Sequence, residues 1–282
     1  VNTPGSTTGE VEITYPDGSK DVVTVNVTVR KVSEEFTATG TQIEVNQNEE
    51  VTFDMLKGAV NATNAQGENG NAKISKVESK SPVNTTTYGD QTIQAKVTYI
   101  DGSEQDVTIQ LKVKDVTNPT IQTPAENTNW EMTALDKTLP NMEVRAEDNV
   151  NGSGIKTVTV TGLPDYLEYD SATNTIKFKT GKQEVEKLTE NTPSKEFNLN
   201  IRVEDNAGNI SERTAKITIS SMSAKTNPQP ENQTVNYGQV PNPEDSVNKQ
   251  GLPYGTTVTW KTPPVVNTPG STTGEVEITY PD

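Results

Sequence analysis

The chain of 282 residues contains neither cysteine nor histidine. Without cysteine no disulfide can staple a small fold, which is unusual for eukaryotic secreted modules and compatible with a bacterial extracellular stalk. Without histidine the usual general base near neutral pH is missing, together with Ser-His-Asp and Cys-His arrangements and ordinary zinc sites. Catalysis would rest on carboxylates alone, and no pair of them is set apart as a glycoside hydrolase requires. An enzyme is therefore not expected. Positive charge is also scarce: 24 Lys and Arg against 39 Asp and Glu leave a net charge of −15. Such a surface repels nucleic acid and anionic lipid and attracts divalent cations. No apolar run reaches the ~20 residues that cross a bilayer, and no signal peptide is evident. Any membrane or wall anchor is expected to lie outside this sequence.

What the sequence has in plenty is repetition. Val1–Asp17, VNTPGSTTGEVEITYPD, returns letter for letter as Val266–Asp282, a period of 265 residues. This identity points to a tandem array in which the start of one repeat is seen twice. The length suits two or three small domains. Apolar residues make up only 30% of the chain, yet they alternate regularly, so the expected fold class is all-β: tandem small Ig-like β-sandwich modules arranged as an elongated rod.

Residues 1–32 read as one hairpin. Val11, Ile13 and Tyr15 alternate with polar residues, Pro16-Asp17-Gly18-Ser19 turns the chain, and Val23, Val25, Val27 and Val29 alternate again. Residues 33–114 form a second module, β-grasp-like or Ig-like. It ends in a related hairpin, Tyr99-Ile100-Asp101-Gly102-Ser103 followed by Val107, Ile109, Leu111 and Val113. A short helical turn is expected over residues 52–57, and the polar loop 61–71 is either a solvated turn or a binding tip. Residues 115–221 form a third module. Its strands are expected at 141–146, 155–161, 166–169, 175–179, 197–203 and 213–219, with an edge strand near Thr120. A loop is expected at 181–195, with a helical turn around Glu184–Leu188. Residues 222–282 open with a proline-rich entry and end in the duplicated segment. Joined to residues 1–32, they make one further module.

That joined module resembles a Rib domain, with residues 1–32 as its C-terminal half and 222–282 as its N-terminal part. The resemblance rests on Leu252-Pro253, Gly255-Thr256, Trp260, Thr268-Pro269-Gly270 and Tyr15-Pro16-Asp17-Gly18-Ser19-Lys20-Asp21 with the valine ladder. It implies a shortened Ig-like fold used as a spacer in Gram-positive, wall-anchored adhesins. The third module resembles the cadherin-like Ig modules of bacterial adhesins through Gly162-Leu163-Pro164, Leu167, Tyr169-Asp170, Thr173 and Ile176, with Glu147-Asp148-Asn149 and Glu204-Asp205-Asn206-Ala207-Gly208-Asn209. That resemblance implies structural calcium. The β-grasp likeness of the second module is of the same bacterial surface kind.

The residues carry one constellation with chemistry of its own. Glu147-Asp148-Asn149 and Glu204-Asp205-Asn206 sit at strand ends that a seven-strand Greek key returns to the pole where the chain enters. They are expected to converge with each other and with Asp115 and Asn118 as a calcium site, because calcium takes six to eight oxygens from carboxylates, amides and carbonyls. Ordinary turn chemistry, with Asp and Asn favoured at strand ends, is the alternative.

The expected function is a stalk that projects a distal binding region from the cell. The other reading is a module that itself binds host glycan or protein, or mediates association between cells, through the 61–71 loop or through Trp130 or Trp260. Expected partners are neighbouring repeats of the same protein and, through head-to-tail strand complementation, a second copy of the chain.

Overall fold

Period-two alternation becomes strand over most of a computed structural model that describes residues 3–189 and 192–282, although the strand expected at 141–146 forms only over 145–147. β1 (Gly5–Thr14) and β2 (Lys20–Val29) form the expected hairpin, with Val11 opposite Val23 and Gly9 opposite Val25. The first two residues of the duplicated segment lie outside the described residues. The turn is built by one side chain: Asp17 accepts the Ser19 amide at 3.0 Å and the Ser19 hydroxyl at 2.7 Å. Gly18, at φ +86°, supplies the left-handed step. Both faces of this hairpin are exposed, and Val25 keeps 42% of its surface in solvent.

The next module uses the same closing hairpin with partners added. Its strands are β3 (Phe36–Gly40), β4 (Gln42–Asn46), β5 (Val60–Asn64), β6 (Ile74–Ser79), β7 (Gly89–Tyr99) and β8 (Glu104–Lys114). They form a four-stranded sheet, β4-β8-β7-β6, and a pair, β3-β5. β4 runs parallel to β8, with Ile43 opposite Leu111. Val107, Ile109, Leu111 and Val113 point into a core with Phe36, Leu56 and Tyr99. The turn repeats that of the first hairpin, since Asp101 accepts the Ser103 amide at 3.0 Å and hydroxyl at 2.6 Å. It also accepts the Val32 amide at 2.8 Å. The expected helical turn forms over Phe53–Gly58, capped by the Thr52 hydroxyl, which accepts from the Met55 amide.

The third module contains β9 (Thr120–Thr123), β10 (Thr128–Thr133), β11 (Arg145–Glu147), β12 (Ile155–Thr161), β13 (Leu167–Asp170), β14 (Thr175–Phe178), β15 (Ser194–Asp205) and β16 (Ile210–Ser220). Its main sheet is β10-β16-β15-β12, with β10 parallel to β16, and β9-β11 and β13-β14 pair separately. β10 is a strand the alternation did not single out. The helical turn expected at Glu184–Leu188 does not form; Val185 and Leu188 are instead buried in the core as loop residues. The Val185 amide donates to the Asp136 carbonyl, which fixes the loop from the main chain. Residues 190 and 191 of that loop lie outside the described residues.

The remaining strands, β17 (Thr257–Thr262) and β18 (Glu275–Thr279), form an antiparallel pair with Trp260 opposite Val276. Two compact units account for the chain. One holds the residues up to Asn118 together with Asp148–Gly154 and Asn206–Asn209; the other holds Pro119–Glu147, Ile155–Asp205 and Ile210–Asp282.

Ile217 is wholly buried, so Ile217→Ala should lower the unfolding free energy by about 2–5 kcal/mol, while Val25→Ala should leave the denaturant midpoint unchanged. Hydrogen exchange in the β1–β2 amides should accordingly be far faster than in β15–β16. Burial works to raise the Asp101 pKa, but its bonds from the Ser103 hydroxyl and from the Val32 and Ser103 amides outweigh this and hold it below the ordinary value of 3.8. The folded value is depressed, so the stabilisation is present above that pH and lost as pH falls through the folded value. Chemical denaturation of Asp101→Asn should show a deficit at neutral pH, of about 1–2 kcal/mol, that closes in strong acid.

Candidate cation site

The strand end that closes β8 delivers Asp115 into a set of loops. Asp115 is 5% exposed, and its carboxylate accepts the Thr117 amide at 3.0 Å on one oxygen and the Ser153 amide at 2.8 Å on the other. The Asp115 carbonyl accepts from the Asn209 side chain at 3.2 Å. The loop Asp148–Gly154 closes on itself through the Gly154 amide, which donates to Asp148 at 2.6 Å, and the Gly152 amide, which donates to the Asn149 carbonyl at 3.0 Å. Asn151, at φ 58°, takes the left-handed corner that asparagine tolerates.

Asn206 clips the second loop to the first by donating to the carbonyls of Ser153 at 2.8 Å and Gly154 at 2.9 Å. Asp205, bonded to Asn206, is fully buried. One carboxylate oxygen from each of Asp115, Asp148 and Asp205 lies within 4.8 Å of the others. Two oxygens at this place, Asp148 Oδ1 and Asn149 Oδ1, are buried and have no hydrogen-bond partner among the described residues. Gly152 keeps the space open: a Cβ there would stand 2.5 Å from Asn149 Oδ1 and 2.8 Å from Asp115 Oδ2.

Of the eight residues read from sequence, three carboxylates converge and Asn149 adjoins them. Glu147 and Glu204 do not join, because the pleat turns neighbouring side chains to opposite faces. Glu147 is an exposed residue of β11 opposite Thr120. Glu204 bonds Lys156 at 2.7 Å and Arg202 at 2.9 Å, and these cations, Lys156 foremost, hold its pKa below the usual range. Asn118 is exposed, and the Asn206 side-chain amide donates to backbone. Sequence reasoning missed Gly152 and Ser153, although the run Asn149–Gly154, rich in Asn and Gly, signals a tight loop, and it met Asn209 only within a family motif. It also missed Gln47, which accepts from the Asn149 side chain at 2.7 Å from more than a hundred residues away.

The residues considered for a binding tip serve the fold. In the 61–71 loop, Asn71 Oδ1 accepts the Ala62 amide at 2.7 Å, and Asn64 Oδ1 accepts the amides of Gln66 and Glu68 at 3.1 and 2.8 Å. Trp130 is a core residue, and Trp260 donates its indole N–H to the Pro241 carbonyl at 2.9 Å.

The sequence profile of the Rib domain matches residues 1–31, 33–115 and 223–282, more than half of the chain. The chain belongs to the Rib domain family. The match takes in the module at 33–115, whose closing turn repeats that of the first hairpin bond for bond. Rib domains are modules of surface proteins. No curated protein matches this Rib-family chain in sequence. Among solved structures it is similar to protocadherin gamma B2 extracellular cadherin domains 3–6, at 14% identity over 72% of this chain and 55% of that one, with a TM-score of 0.38. It is also similar to Drosophila N-cadherin EC1–4, at 11% identity over 77% and 58%, with a TM-score of 0.37. The Rib-family chain thus spans little more than half the length of those fragments, and likenesses this distant carry no argument about it.

The close approach at Gly152 is testable on its own. Gly152→Ala should destabilise the chain by about 1–3 kcal/mol, whereas Gly208→Ala, next to open space, should cost only the strain of its positive φ. Paired denaturant melts would compare them.

Proposed function

We propose that this chain is a spacer segment of an extracellular, wall-anchored bacterial surface protein, and that a calcium ion held by Asp115, Asp148 and Asp205 ties its loops together. The observation that carries the calcium reading is the pair of buried oxygens unpartnered among the described residues, Asp148 Oδ1 and Asn149 Oδ1, beside three converging carboxylates. A buried acceptor without a partner costs free energy that ordinary turn chemistry would have relieved. The donor set fits the ion, because calcium prefers carboxylate and amide oxygens and tolerates irregular geometry. When bound, the ion would offset the repulsion among the three carboxylates.

The chain's own groups prepare the place. Amides of Thr117, Ser153 and Gly154 hold Asp115 and Asp148 in position, and Asn206 fixes the second loop against the first. Segments at 115, 148 and 205 would then be clamped at one point, which suits a chain whose work is mechanical. The spacer reading is supported by the family, by the 265-residue repeat and by the structural use of the candidate binding residues.

Calorimetric titration should show one calcium bound per chain, and thermal melting should show a rise in Tm with calcium that chelator reverses. Saturation at a hundred times Kd corresponds to about 2.7 kcal/mol of added stability. Asp148→Asn and Asp205→Asn should remove both effects, and Glu204→Gln should preserve them. A chain indifferent to calcium in both measurements would contradict the calcium reading. Saturable binding to a glycan array or to matrix proteins would contradict the purely spacing role.

A further inference from the structure

In the second and third modules the segment that brings the chain in runs beside the strand that takes it out, and in the same direction. In the second module the points of contact rise along both. The Asp101 carboxylate accepts the Val32 amide at 2.8 Å, and the Ser103 hydroxyl accepts the Ser33 amide at 3.1 Å. Farther on, the Gln110 amide donates to the Thr41 carbonyl at 3.0 Å, and β4 pairs in parallel with β8 from Gln42 opposite Gln110 to Asn46 opposite Lys114. One side chain spans the interval between turn and ladder. Gln105 donates to the carbonyls of Ser33 and Phe36, the latter at 2.9 Å, and accepts the Ala38 amide at 2.9 Å. Gly40 completes the fit, since any Cβ there would collide with the Thr108 carbonyl.

The third module reaches the same arrangement with other residues. The Ser211 hydroxyl donates to the Pro119 carbonyl at 2.6 Å, the Arg213 guanidinium to the Pro124 carbonyl at 2.8 Å, and the Asn127 amide to the Thr214 carbonyl at 3.0 Å. β10 then pairs in parallel with β16 from Thr128 opposite Ala215 to Thr133 opposite Ser220. Gln105 and Ser211 hold equivalent places, each the second residue of a closing strand 11 residues long.

Direction matters because the chain continues on both sides of each module. Tension would reach the second module at Val32 and leave it at Lys114, at opposite ends of β8. It would therefore slide the entry segment along β8, and the bonds, which run across that direction, would be strained together. An antiparallel entry strand would take the same load at one end and open bond by bond. We propose that the parallel entry and closing strands are shear clamps that let each module carry tension along the chain, with Gln105 pinning the second module and Ser211 and Arg213 pinning the third. The clamp deepens the spacer reading and rests on it, because only a chain pulled from both sides puts it to use.

Single-molecule force spectroscopy of the full chain tests this, with the gain in contour length showing which module has opened. Gln105→Ala should lower the unfolding force of the second module and leave that of the third unchanged. Ser211→Ala combined with Arg213→Ala should do the reverse. Val77 is wholly buried on β6, the sheet edge opposite β4. Val77→Ala should weaken the second module in denaturant at least as much as Gln105→Ala, yet lower its unfolding force far less. The absence of cysteine also lets the direction of pull be chosen. Held between Lys31→Cys and Lys114→Cys, the second module should withstand a force several-fold higher than between Lys31→Cys and Ile100→Cys, where the same bonds part in turn. An unchanged force in Gln105→Ala, an equal loss in Val77→Ala, or equal forces along the two directions would each overturn the clamp. None of these results bears on the spacer reading, whose own failure is saturable ligand binding.

Discussion

A long hairpin closing each sandwich is the constraint on which the rest of the structure depends. β7–β8 and β15–β16 are the longest paired strands of their modules, and each is flanked by a short parallel strand on one side and an antiparallel strand on the other. The hairpin is local in sequence and needs little loop closure, whereas β4 and β10 must find partners far down the chain. A tight Asp-Gly-Ser turn sets the register of β7–β8, and register decides which residues face the core. The β1–β2 hairpin shows the same unit without those partners, and its valines remain in water.

This architecture explains what could be read from residues alone. Alternating valines and the Asp-Gly-Ser turn are local signals, so the hairpins, the helical turn at Phe53 and most strands of the third module were legible. β10 was not, because its short alternation around Trp130 and Met132 becomes decisive only when β16, paired 87 residues further on, offers an edge. Val185 and Leu188 share the spacing of a helical turn, yet that spacing also lets an extended loop reach down to one core, and the Asp136 carbonyl selects the second outcome.

The candidate site was half legible for a related reason. The two Glu-Asp-Asn triplets and Asp115 mark where carboxylates gather, since sandwich topology returns those strand ends to one pole. Which carboxylate of each triplet turns inward depends on the pleat, and strand ends are the positions at which one-residue shifts are hardest to foresee. Asp148 and Asp205 face the cluster, and Glu204 is drawn off by Lys156 and Arg202. Contributions from Gln47 and Asn209 come from side chains whose distance in sequence conceals their role.

The claim that most of this account serves is that Asp115, Asp148 and Asp205 hold a calcium ion. The most direct measurement is an anomalous difference map from crystals of the chain grown in calcium, collected at long wavelength. The account predicts a strong peak among the three carboxylates, with Asn149 Oδ1 among its ligands and no peak at Glu204. A map without a peak there, with water or nothing between the carboxylates, would contradict it.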